Sequence, residues 1–265
     1  YTTDMERSHA DAKATGAVVG PVADFEFGPV RLQQSMAVGP DGVEVVFVGI
    51  NKRLPSVLDD RPDLLAPAVN SLLIGVTAFF RDAAVFEALR TQVLPDLLSR
   101  TPGPLRAWCA GCSSGQELYS LAILLVEAGR LDGAVLLGTD CRPTALETAR
   151  EGRYAAKDLE SVPSELRDRY FQSENGVWRV VPRLRAAVEW KTADVLAGPE
   201  PGPWDLILWR NAAIYLTPAG AGAAWRHLAG VLRPGGFLVT GPAERPTADV
   251  PLTFVRRCLY RRKEA

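Results

Sequence analysis

The 265-residue chain has few of the residues that build metal, disulfide and general-base sites, with only four cysteines and two histidines. Cys109 and Cys112 form a C-x-x-C pair, but Cys141 and Cys258 have no cysteine or histidine close to them in sequence. A structural zinc site needs a second pair of ligands. We therefore expect no bound metal, and we interpret the four residues as reduced thiols of a cytoplasmic protein.

Long apolar runs and a strong net charge are also missing. No run approaches the roughly 18 apolar residues that would suggest a membrane span, and the polar first twenty residues lack the apolar core of a signal peptide. The formal net charge of −1 gives no general attraction to nucleic acid or to an anionic membrane. We therefore expect a cytoplasmic protein with no nucleic-acid partner and no membrane insertion.

The composition that remains is that of a globular protein, 47% hydrophobic and 23% charged. This length suits one large domain, or a core domain with a smaller companion. Residues 1–95 carry 8 Lys and Arg against 12 Asp and Glu, whereas the remainder carries 22 against 19. Pro-Gly-Pro at 102–104 is the best candidate for a linker. The sequence therefore predicts a small acidic N-terminal domain over 1–95 and a larger domain over 96–265.

The N-terminal part contains one strand signal and two helix signals. Residues 43–48 are rich in β-branched side chains and follow the turn-forming Gly-Pro-Asp-Gly at 39–42, which predicts a hairpin. Residues 55–65 suggest a short helix or loop. Asp82 is a plausible N-cap for an amphipathic helix, and Pro95 leaves the end of that helix open.

The larger domain alternates between strand and helix patterns. Thr217 and Pro218 predict the cap and first turn of a helix that Pro-Gly-Gly at 234–236 would end. A βαβα order predicts an α/β fold with a mostly parallel sheet and helices on both faces. In such sheets, ligands bind beyond the carboxyl ends of the strands. The predicted strands are 105–110, 134–138, 188–191, 204–209 and 237–240, followed by an antiparallel pair within 253–261.

The stretch 108–120, Trp-Cys-Ala-Gly-Cys-Ser-Ser-Gly-Gln-Glu-Leu-Tyr-Ser, predicts a strand, a glycine turn and a helix. Ser114 and Glu117 have the spacing of a capping box, which places the helix start at Ser114. Gly111 and Gly115 would let a ligand approach the backbone closely, and free amides at a helix start bind carboxylate or phosphate oxygens. The stretch is therefore either a nucleotide-type site or simply a tight turn.

Three acidic residues are candidates for binding such a ligand. Asp140 ends the second strand, where a carboxylate can accept hydrogen bonds from the ribose of a dinucleotide or of S-adenosylmethionine; otherwise it is a helix N-cap or a surface carboxylate. Glu117 could bind the ammonium group of a methionine moiety, or only complete the capping box. Asp194 could hold an adenine amino group, or cap a loop.

Several segments of the chain, taken together and in order, carry a family resemblance. They are Leu-Leu-Ile-Gly-Val-Thr-Ala-Phe-Phe-Arg-Asp at 72–82, the stretch 108–120, Gly-Thr-Asp at 138–140, Arg-Asn at 210–211 with Ile-Tyr-Leu at 214–216, and Leu-Arg-Pro-Gly-Gly at 232–236. Over residues 66–263 the chain resembles the chemotaxis-receptor glutamate methyltransferases of the CheR type, which use S-adenosylmethionine. Thr-x-Phe-Phe-Arg and Arg-Asn-x-x-Ile-Tyr are the specific pieces.

The resemblance implies a class I methyltransferase fold, Rossmann-like, preceded by a small divergent N-terminal domain. It implies that Glu117, Asp140 and Asp194 hold the amino-acid, ribose and adenine parts of the cofactor. Arg81 and Tyr215 are the implied catalytic residues, near the methyl group and the substrate. Together with Gly111 of the glycine turn, the expected cofactor-binding set is Thr77, Arg81, Glu117, Asp140, Asp194, Val195, Arg210 and Asn211.

The scarcity of histidine bears on the acceptor of the methyl group. A glutamate carboxylate has a pKa of about 4.3 and is already ionised at neutral pH, whereas an alcohol or phenol usually needs a general base. His9 lies in the N-terminal tail and His227 within a predicted helix, away from the strand ends. The sequence therefore favours a carboxylate acceptor, which Arg81 could orient by paired hydrogen bonds.

Two departures from the family keep other functions open. The family usually has a basic helix near its N-terminus, but residues 1–95 are net acidic, and Gly-Pro-Ala-Glu at 241–244 stands where Gly-His-Ser-Glu is frequent. We expect a protein glutamate acceptor, with the cytoplasmic region of a chemoreceptor as the candidate. The alternatives are a small-molecule methyltransferase with the N-terminal region as a lid, and a non-catalytic protein that senses the cofactor. A dehydrogenase would leave residues 77–81 and 210–215 unexplained.

Overall fold

The computed structural model describes residues 77–100 and 103–264, together with the strand residues of a smaller sheet within 18–50. The chain divides into two compact units, Tyr1–Ile74 and Gly75–Ala265. The sequence places the domain boundary between residues 95 and 96. That position lies inside a helical segment whose apolar side chains pack into the core of the second unit, which is why the segment groups with the sheet that follows it.

The first unit contains a four-stranded antiparallel sheet in which the third strand pairs with each of the others. The predicted hairpin is present, since the last two strands pair antiparallel with Val38 opposite Glu44. The short helix or loop expected at 55–65 lies outside the described residues. The strands are β1 Val18–Val19, β2 Ala23–Phe27, β3 Val30–Val38 and β4 Glu44–Ile50.

In its described residues the second unit has ten strands in two sheets. In chain order they are β5 Arg106–Ala110, β6 Val135–Asp140, β7 Arg153–Ala155, β8 Phe171–Glu174, β9 Val177–Val180, β10 Val188–Thr192, β11 Trp204–Trp209, β12 Leu232–Thr240, β13 Leu252–Arg256 and β14 Leu259–Arg262. The large sheet has the spatial order β10-β6-β5-β11-β12-β14-β13. Its first five strands are parallel, and β14 and β13 add an antiparallel edge. The α/β fold with a mostly parallel sheet is therefore confirmed.

Strands β7, β8 and β9 form a small antiparallel sheet inserted between β6 and β10. The sequence did not predict it, because strands of three or four residues leave too short an alternation to recognise. The helices of the second unit are α1 Ala83–Ala88, α2 Leu94–Arg100, α3 Gln116–Glu127, α4 Pro143–Glu151, α5 Ser164–Tyr170, α6 Pro182–Ala186 and α7 Pro218–Val231. None of the helices in the described residues is long and apolar enough to cross a membrane.

A π-helical segment, Leu89–Val93, joins α1 to α2 and carries the helix past Pro95. In a regular α-helix the proline ring would clash with the carbonyl group four residues earlier, at Thr91. Thr91 belongs to the wider π-helical turn, which leaves room for the proline ring. The helix therefore continues to Arg100. The helical pattern of the sequence thus extends further than the proline suggests.

The prediction at the start of α7 is confirmed, and the prediction at its end is wrong. Thr217 is the N-cap, its hydroxyl accepting the Gly220 N–H at 3.2 Å, and Pro218 occupies the first helical position. The helix ends at Val231 and β12 begins at once, so Pro-Gly-Gly at 234–236 lies inside a strand. An irregularity in the pairing of β11 with β12 accommodates this sequence.

Alternate residues of the central strands face two separate hydrophobic clusters. On β11, Leu206 and Leu208 pack with α1, α2 and α3, whereas Ile207 and Trp209 pack with α7. Side chains of a strand alternate between the faces of its sheet, so helices cover both faces. From β5 the chain proceeds outward to β6 and β10, then returns to the other side of β5 as β11. The strand order therefore reverses between β5 and β11, where α/β sheets bind ligands.

Candidate functional site

The glycine turn follows β5 at this reversal point. Gly111 turns the chain with a φ of +65°. Gly115, the N-cap of α3, has a φ of +90°, and a Cβ built there would lie 2.6 Å from the Trp190 ring and 2.9 Å from Ala149 Cβ. Only glycine satisfies both the backbone angle and the space. The tight turn is therefore required by packing as well as suited to a ligand.

The predicted capping box is wrong. The helix begins at Gln116 instead of Ser114, and the Ser114 hydroxyl donates to the Gln116 side chain at 2.9 Å. The left-handed Gly115 displaces the helix start by two residues, which places Glu117 in the first turn with its side chain buried. Glu117 is thereby available for an interaction with another element of the fold.

That interaction is with Arg210, which follows β11 and is buried. The Arg210 guanidinium donates to Glu117 Oε1 at 2.5 Å and, through its other terminal nitrogen, to the carboxylate of Asp82. Its Nε donates to the carbonyl of Thr240 at 3.4 Å. Arg210 thus links the start of α1, the start of α3 and the end of β12.

Asp82 occupies the N-cap position of α1, as the sequence predicts, but its side chain does not cap the helix. Its backbone is left-handed, with a φ of +59°, and its side chain makes no capping hydrogen bond. The carboxylate is instead used by Arg210. Asp82 is therefore a site residue that the helix pattern concealed, because its spacing already fitted a structural role.

The ionisation of Glu117 depends on its neighbours. Burial raises the pKa of the Glu117 carboxyl, and the positive charges of Arg210 and Arg81 oppose this rise. Arg81 directly precedes Asp82, whose carboxylate binds the same guanidinium as Glu117, so the structure brings together Arg81, Glu117 and Arg210, three of the residues implied by the family resemblance. The result is a compact group of opposite charges at the carboxyl edge of the sheet.

Arg81 is held in this group by the segment before it. The Phe80 N–H donates to the Ser120 hydroxyl on α3 at 2.9 Å, and the carbonyl of Phe79 accepts the Ser161 hydroxyl at 2.6 Å. The buried Phe79 ring packs edge-on against Tyr154 and Phe171 of the small sheet. Thr77 is partly buried, and among the described residues no hydrogen bond joins it to the charged group.

Asp140 lies at the end of β6 and is buried. Its carboxylate accepts the backbone N–H of Ser113 at 2.8 Å, the backbone N–H of Arg142 at 2.9 Å and the Arg142 Nε at 3.0 Å. The N-cap of α4 is Arg142, so Asp140 is neither a helix cap nor a surface carboxylate. It fixes the glycine turn against β6, and its pairing with Arg142 was not predicted from the sequence.

Asp194 and Val195 lie in the loop after β10, beside the end of β6. Asp194 Oδ1 accepts the Leu196 N–H at 2.9 Å, the loop-capping alternative considered above. The Ala193 N–H donates to the Asp140 carbonyl at 3.1 Å, and Val195 packs against the cluster that contains Trp108. The adenine role of Asp194 and Val195 stays a prediction.

Asn211 and Tyr215 lie in the loop after β11. Asn211 has a φ of +55°, and its side-chain Oδ1 is buried with no hydrogen-bond partner in the described part of the chain. Tyr215 ends a short 3₁₀ helix, Ala213–Tyr215, and is partly exposed. A buried amide oxygen without a partner is costly, and a ligand with a hydrogen-bond donor would satisfy it.

A glutamate that the sequence did not nominate holds this loop. Glu244, buried in the loop after β12, accepts the backbone N–H groups of Asn211, Ala212 and Ala213 at 2.7–2.8 Å. The only available signal was its position in Gly-Pro-Ala-Glu, which preserves the acid of the frequent family sequence Gly-His-Ser-Glu.

The cysteines do not take part in this group. Cys109 and Cys112 are buried, and burial raises the pKa of both thiols well above the ordinary range. Cys258 is also buried, and Cys141 is exposed. Within 77–100, 103–264 and the described strands, no group of three His, Cys, Asp or Glu residues could hold a metal ion.

The arrangement suits S-adenosylmethionine. Carboxylates at Asp140 and Glu117 fit a ribose diol and an ammonium group, Arg210 fits a carboxylate, and the unpaired Asn211 oxygen fits a donor. Asp140, Arg210 and Asn211 lie at or just beyond the carboxyl ends of parallel strands, and Glu117 lies in the first turn of the helix that follows β5. Ligands of α/β sheets bind at this edge. Fold and site together define a class I S-adenosylmethionine-dependent methyltransferase.

Comparison with known proteins identifies the family. The model described as "CheR methyltransferase, SAM binding domain" matches residues 75–254, more than half of the chain. The chain therefore belongs to the CheR methyltransferase family and is an S-adenosylmethionine-dependent enzyme of the chemotaxis protein methyltransferase type. The predicted fold class, cofactor and enzyme class are confirmed.

Curated relatives agree with this family. A chemotaxis protein methyltransferase of Listeria monocytogenes is 34% identical over 199 residues, which cover 74% of this chain and 76% of the relative. Chemotaxis protein methyltransferase 1 of Pseudomonas aeruginosa is 30% identical over 246 residues, covering 84% of this chain and 90% of the relative.

Solved structures give a weaker likeness. An amino pentose methyltransferase from Micromonospora echinaspora, with bound S-adenosylmethionine, is 18% identical with a TM-score of 0.36, covering 62% of this chain and 56% of the other. A magnesium protoporphyrin IX methyltransferase from Synechocystis is 19% identical with a TM-score of 0.37, covering 67% and 76%. The fold assignment rests on the strand order of this chain itself.

Proposed function

We propose that this enzyme transfers the methyl group of S-adenosylmethionine to glutamate side chains in the cytoplasmic region of a chemoreceptor. The observation that carries the proposal is the charged group at the sheet's reversal point, where Arg81 stands beside the buried pair of Glu117 and Arg210. The curated relatives are named chemotaxis protein methyltransferases, which supports the choice of acceptor.

The Glu117–Arg210 pair supports binding of the cofactor's amino-acid group. Each partner of this pair has a counterpart in that group, the ammonium for Glu117 and the carboxylate for Arg210. Binding would exchange one internal ion pair for two with the ligand, so neither buried charge would lose its partner. Asp82 would keep Arg210 in place meanwhile, because it binds the other side of the guanidinium.

The remaining cofactor roles follow from position along the sheet edge. Asp140 would accept hydrogen bonds from the ribose, with Arg142 moving aside to release part of its carboxylate. Asp194 and Val195 would contact the adenine, and Asn211 would border the cofactor through its buried amide oxygen. Thr77 and Gly111 would line the same cleft from the two sides of the charged group.

Methyl transfer to a carboxylate requires the chain mainly to align the acceptor with the methyl group of the cofactor. The cofactor, when bound, supplies a sulfonium methyl group that is already activated for transfer. A glutamate carboxylate is ionised at neutral pH, so the chain does not need to remove a proton. Arg81 would orient the acceptor by charge-assisted hydrogen bonds, and Tyr215 would form the facing wall. Holding the acceptor in line with the bond that breaks can supply several kcal/mol.

Base-labile methylation tests the acceptor. We expect that incubating the enzyme with methyl-labelled S-adenosylmethionine and a receptor cytoplasmic fragment labels the fragment, and that mild base then releases the label as methanol. Carboxyl methyl esters hydrolyse in this way, whereas methyl ethers and methylamines do not. The control is the same fragment with its candidate glutamates replaced by alanine.

Two results would contradict the proposal. Label on the fragment that survives mild base would show a different acceptor group. Label that appears only in the small-molecule fraction of a lysate would favour the alternative of a metabolite acceptor. The net acidic first 95 residues are the feature that keeps this alternative under consideration.

A further inference from the structure

The Glu244 carboxylate accepts four backbone hydrogen bonds, two at each of its oxygens. Its Oε1 accepts the N–H groups of Ala212 at 2.8 Å and Ala213 at 2.7 Å. Its Oε2 accepts those of Asn211 and Gly241, both at 2.7 Å. A carboxylate has about four lone-pair sites, so these four bonds fill its accepting capacity.

Three of the four donors are consecutive residues of the loop after β11. They precede and open the short 3₁₀ helix Ala213–Tyr215, whose first N–H groups have no partner within the helix itself. The left-handed Asn211 turns successive N–H groups toward one point, a concavity that binds anions. Glu244 therefore acts as the cap of this helix, supplied from a different loop more than thirty residues away.

The surroundings show that the fold makes room for this carboxylate. A Cβ added to Gly241 would lie 2.7 Å from Glu244 Oε2 and 2.9 Å from the Asn211 nitrogen. Thr240 Oγ1 donates to the Glu244 carbonyl at 3.4 Å, and the Thr240 carbonyl accepts Arg210 Nε. We call Glu244 and the four N–H groups that it binds, at residues 211–213 and 241, the Glu244 clamp. Through Thr240 this clamp is continuous with the charged group, and it joins the ends of β11 and β12.

We propose that Glu244 is a positioning residue for methyl transfer, because its carboxylate sets the loop that carries Asn211 and Tyr215. Glu244 itself would touch neither the cofactor nor the acceptor. A shift of this loop would move Asn211 relative to the cofactor and Tyr215 relative to the methyl group that is transferred. The part that concerns Tyr215 rests on the function proposed above.

The variant Glu244→Gln tests this role with the smallest change in shape. One accepting oxygen becomes an amide NH₂ group, which faces two backbone N–H donors and can accept from neither. We expect transfer at saturating cofactor to fall about 100-fold, since a displacement of about 1 Å can cost that much. We also expect weaker binding of S-adenosylhomocysteine by calorimetry, and faster hydrogen exchange of the amides of Asn211, Ala212 and Ala213.

Asp205→Asn is the matched control. Asp205 is also a buried carboxylate and lies on β11, where it accepts the backbone N–H of Arg106 at 2.9 Å. It lies at the amino end of β11, the opposite edge from the site. This variant should lower thermal stability while leaving transfer, cofactor affinity and exchange at 211–213 near their wild-type values.

The variant Gly241→Ala disturbs the same hydrogen bonds by placing a Cβ against Glu244 Oε2 and the Asn211 nitrogen. It should change methyl transfer, cofactor affinity and hydrogen exchange at 211–213 in the same direction as Glu244→Gln. Equal losses of transfer in Glu244→Gln and Asp205→Asn, after matching for stability, would overturn the positioning role. So would a Glu244→Gln protein whose amides at 211–213 keep their protection. If the wild-type enzyme does not label the receptor fragment, the proposed acceptor fails, and exchange and cofactor affinity then decide the role of Glu244 on their own.

Discussion

Replacing Arg81 with alanine is expected to lower methyl transfer to the receptor fragment by about 100-fold or more, because its guanidinium is the charge that would align the acceptor carboxylate. The loss should appear mainly in the rate at saturating cofactor. Arg81 stands beside Glu117 and lowers the pKa of that carboxyl, so a smaller weakening of cofactor binding is also expected. Initial rates with labelled cofactor measure the first effect, and calorimetry measures the second.

Arg90→Ala is the matched control for this prediction. Arg90 lies one helical segment further along and is exposed, and its guanidinium pairs with Glu87 three residues earlier at 2.6 Å. An exposed pair of this kind contributes little to stability, so the control should transfer methyl groups at about the wild-type rate. An Arg81→Ala enzyme as fast as this control would remove Arg81 from the catalytic residues.

Replacing Arg210 with methionine is expected to destabilise the protein by about 3–5 kcal/mol, because it leaves the buried carboxylate of Glu117 without its counter-charge. The double variant Arg210→Met with Glu117→Gln should recover part of this loss, since it also removes the stranded charge. Urea unfolding of Arg210→Met, of Glu117→Gln and of the double variant measures both quantities and gives the coupling energy between the two residues.

The control for Arg210 is Arg100→Met. Arg100 pairs with Glu264 at 2.5 Å, but both side chains reach solvent, and exposed ion pairs contribute less than about 1 kcal/mol. If Arg210→Met lowered the free energy of unfolding by no more than this control, the buried hydrogen bonds of Arg210 to Glu117 and Asp82 would not be what joins α1, α3 and β11. Cofactor binding should also be lost in Arg210→Met and retained in Arg100→Met.

The central sheet was predictable because its strands are buried on both faces. β11, Trp204–Trp209, is apolar in the sequence except at Asp205 and is buried at every residue in the structure. Parallel strands covered by helices on both faces need such runs. The polar residues at or just beyond the carboxyl ends of these strands, Asp140 and Arg210 among them, were identifiable for the same reason.

The partners of the site residues were not predictable. Asp82 and Glu117 each fitted a local capping pattern, and the structure shows that both carboxylates bind Arg210 instead, 128 and 93 residues away along the chain. A local pattern cannot reveal a competing partner that only the tertiary fold brings close. Glu244 was missed for the same reason, since it binds backbone N–H groups of a loop more than thirty residues away. Arg142 was missed because it binds Asp140, a neighbour to which a role was already assigned.

The most direct test of the account is a crystal structure of the enzyme with S-adenosylhomocysteine. We expect the ligand to lie at the carboxyl ends of β5, β6 and β11, with its ribose on Asp140 and its amino-acid group between Glu117 and Arg210. We also expect Arg81 and Tyr215 to face the sulfur. A ligand bound elsewhere, or one that leaves the Glu117–Arg210 pair and the Asp140 carboxylate untouched, would contradict it.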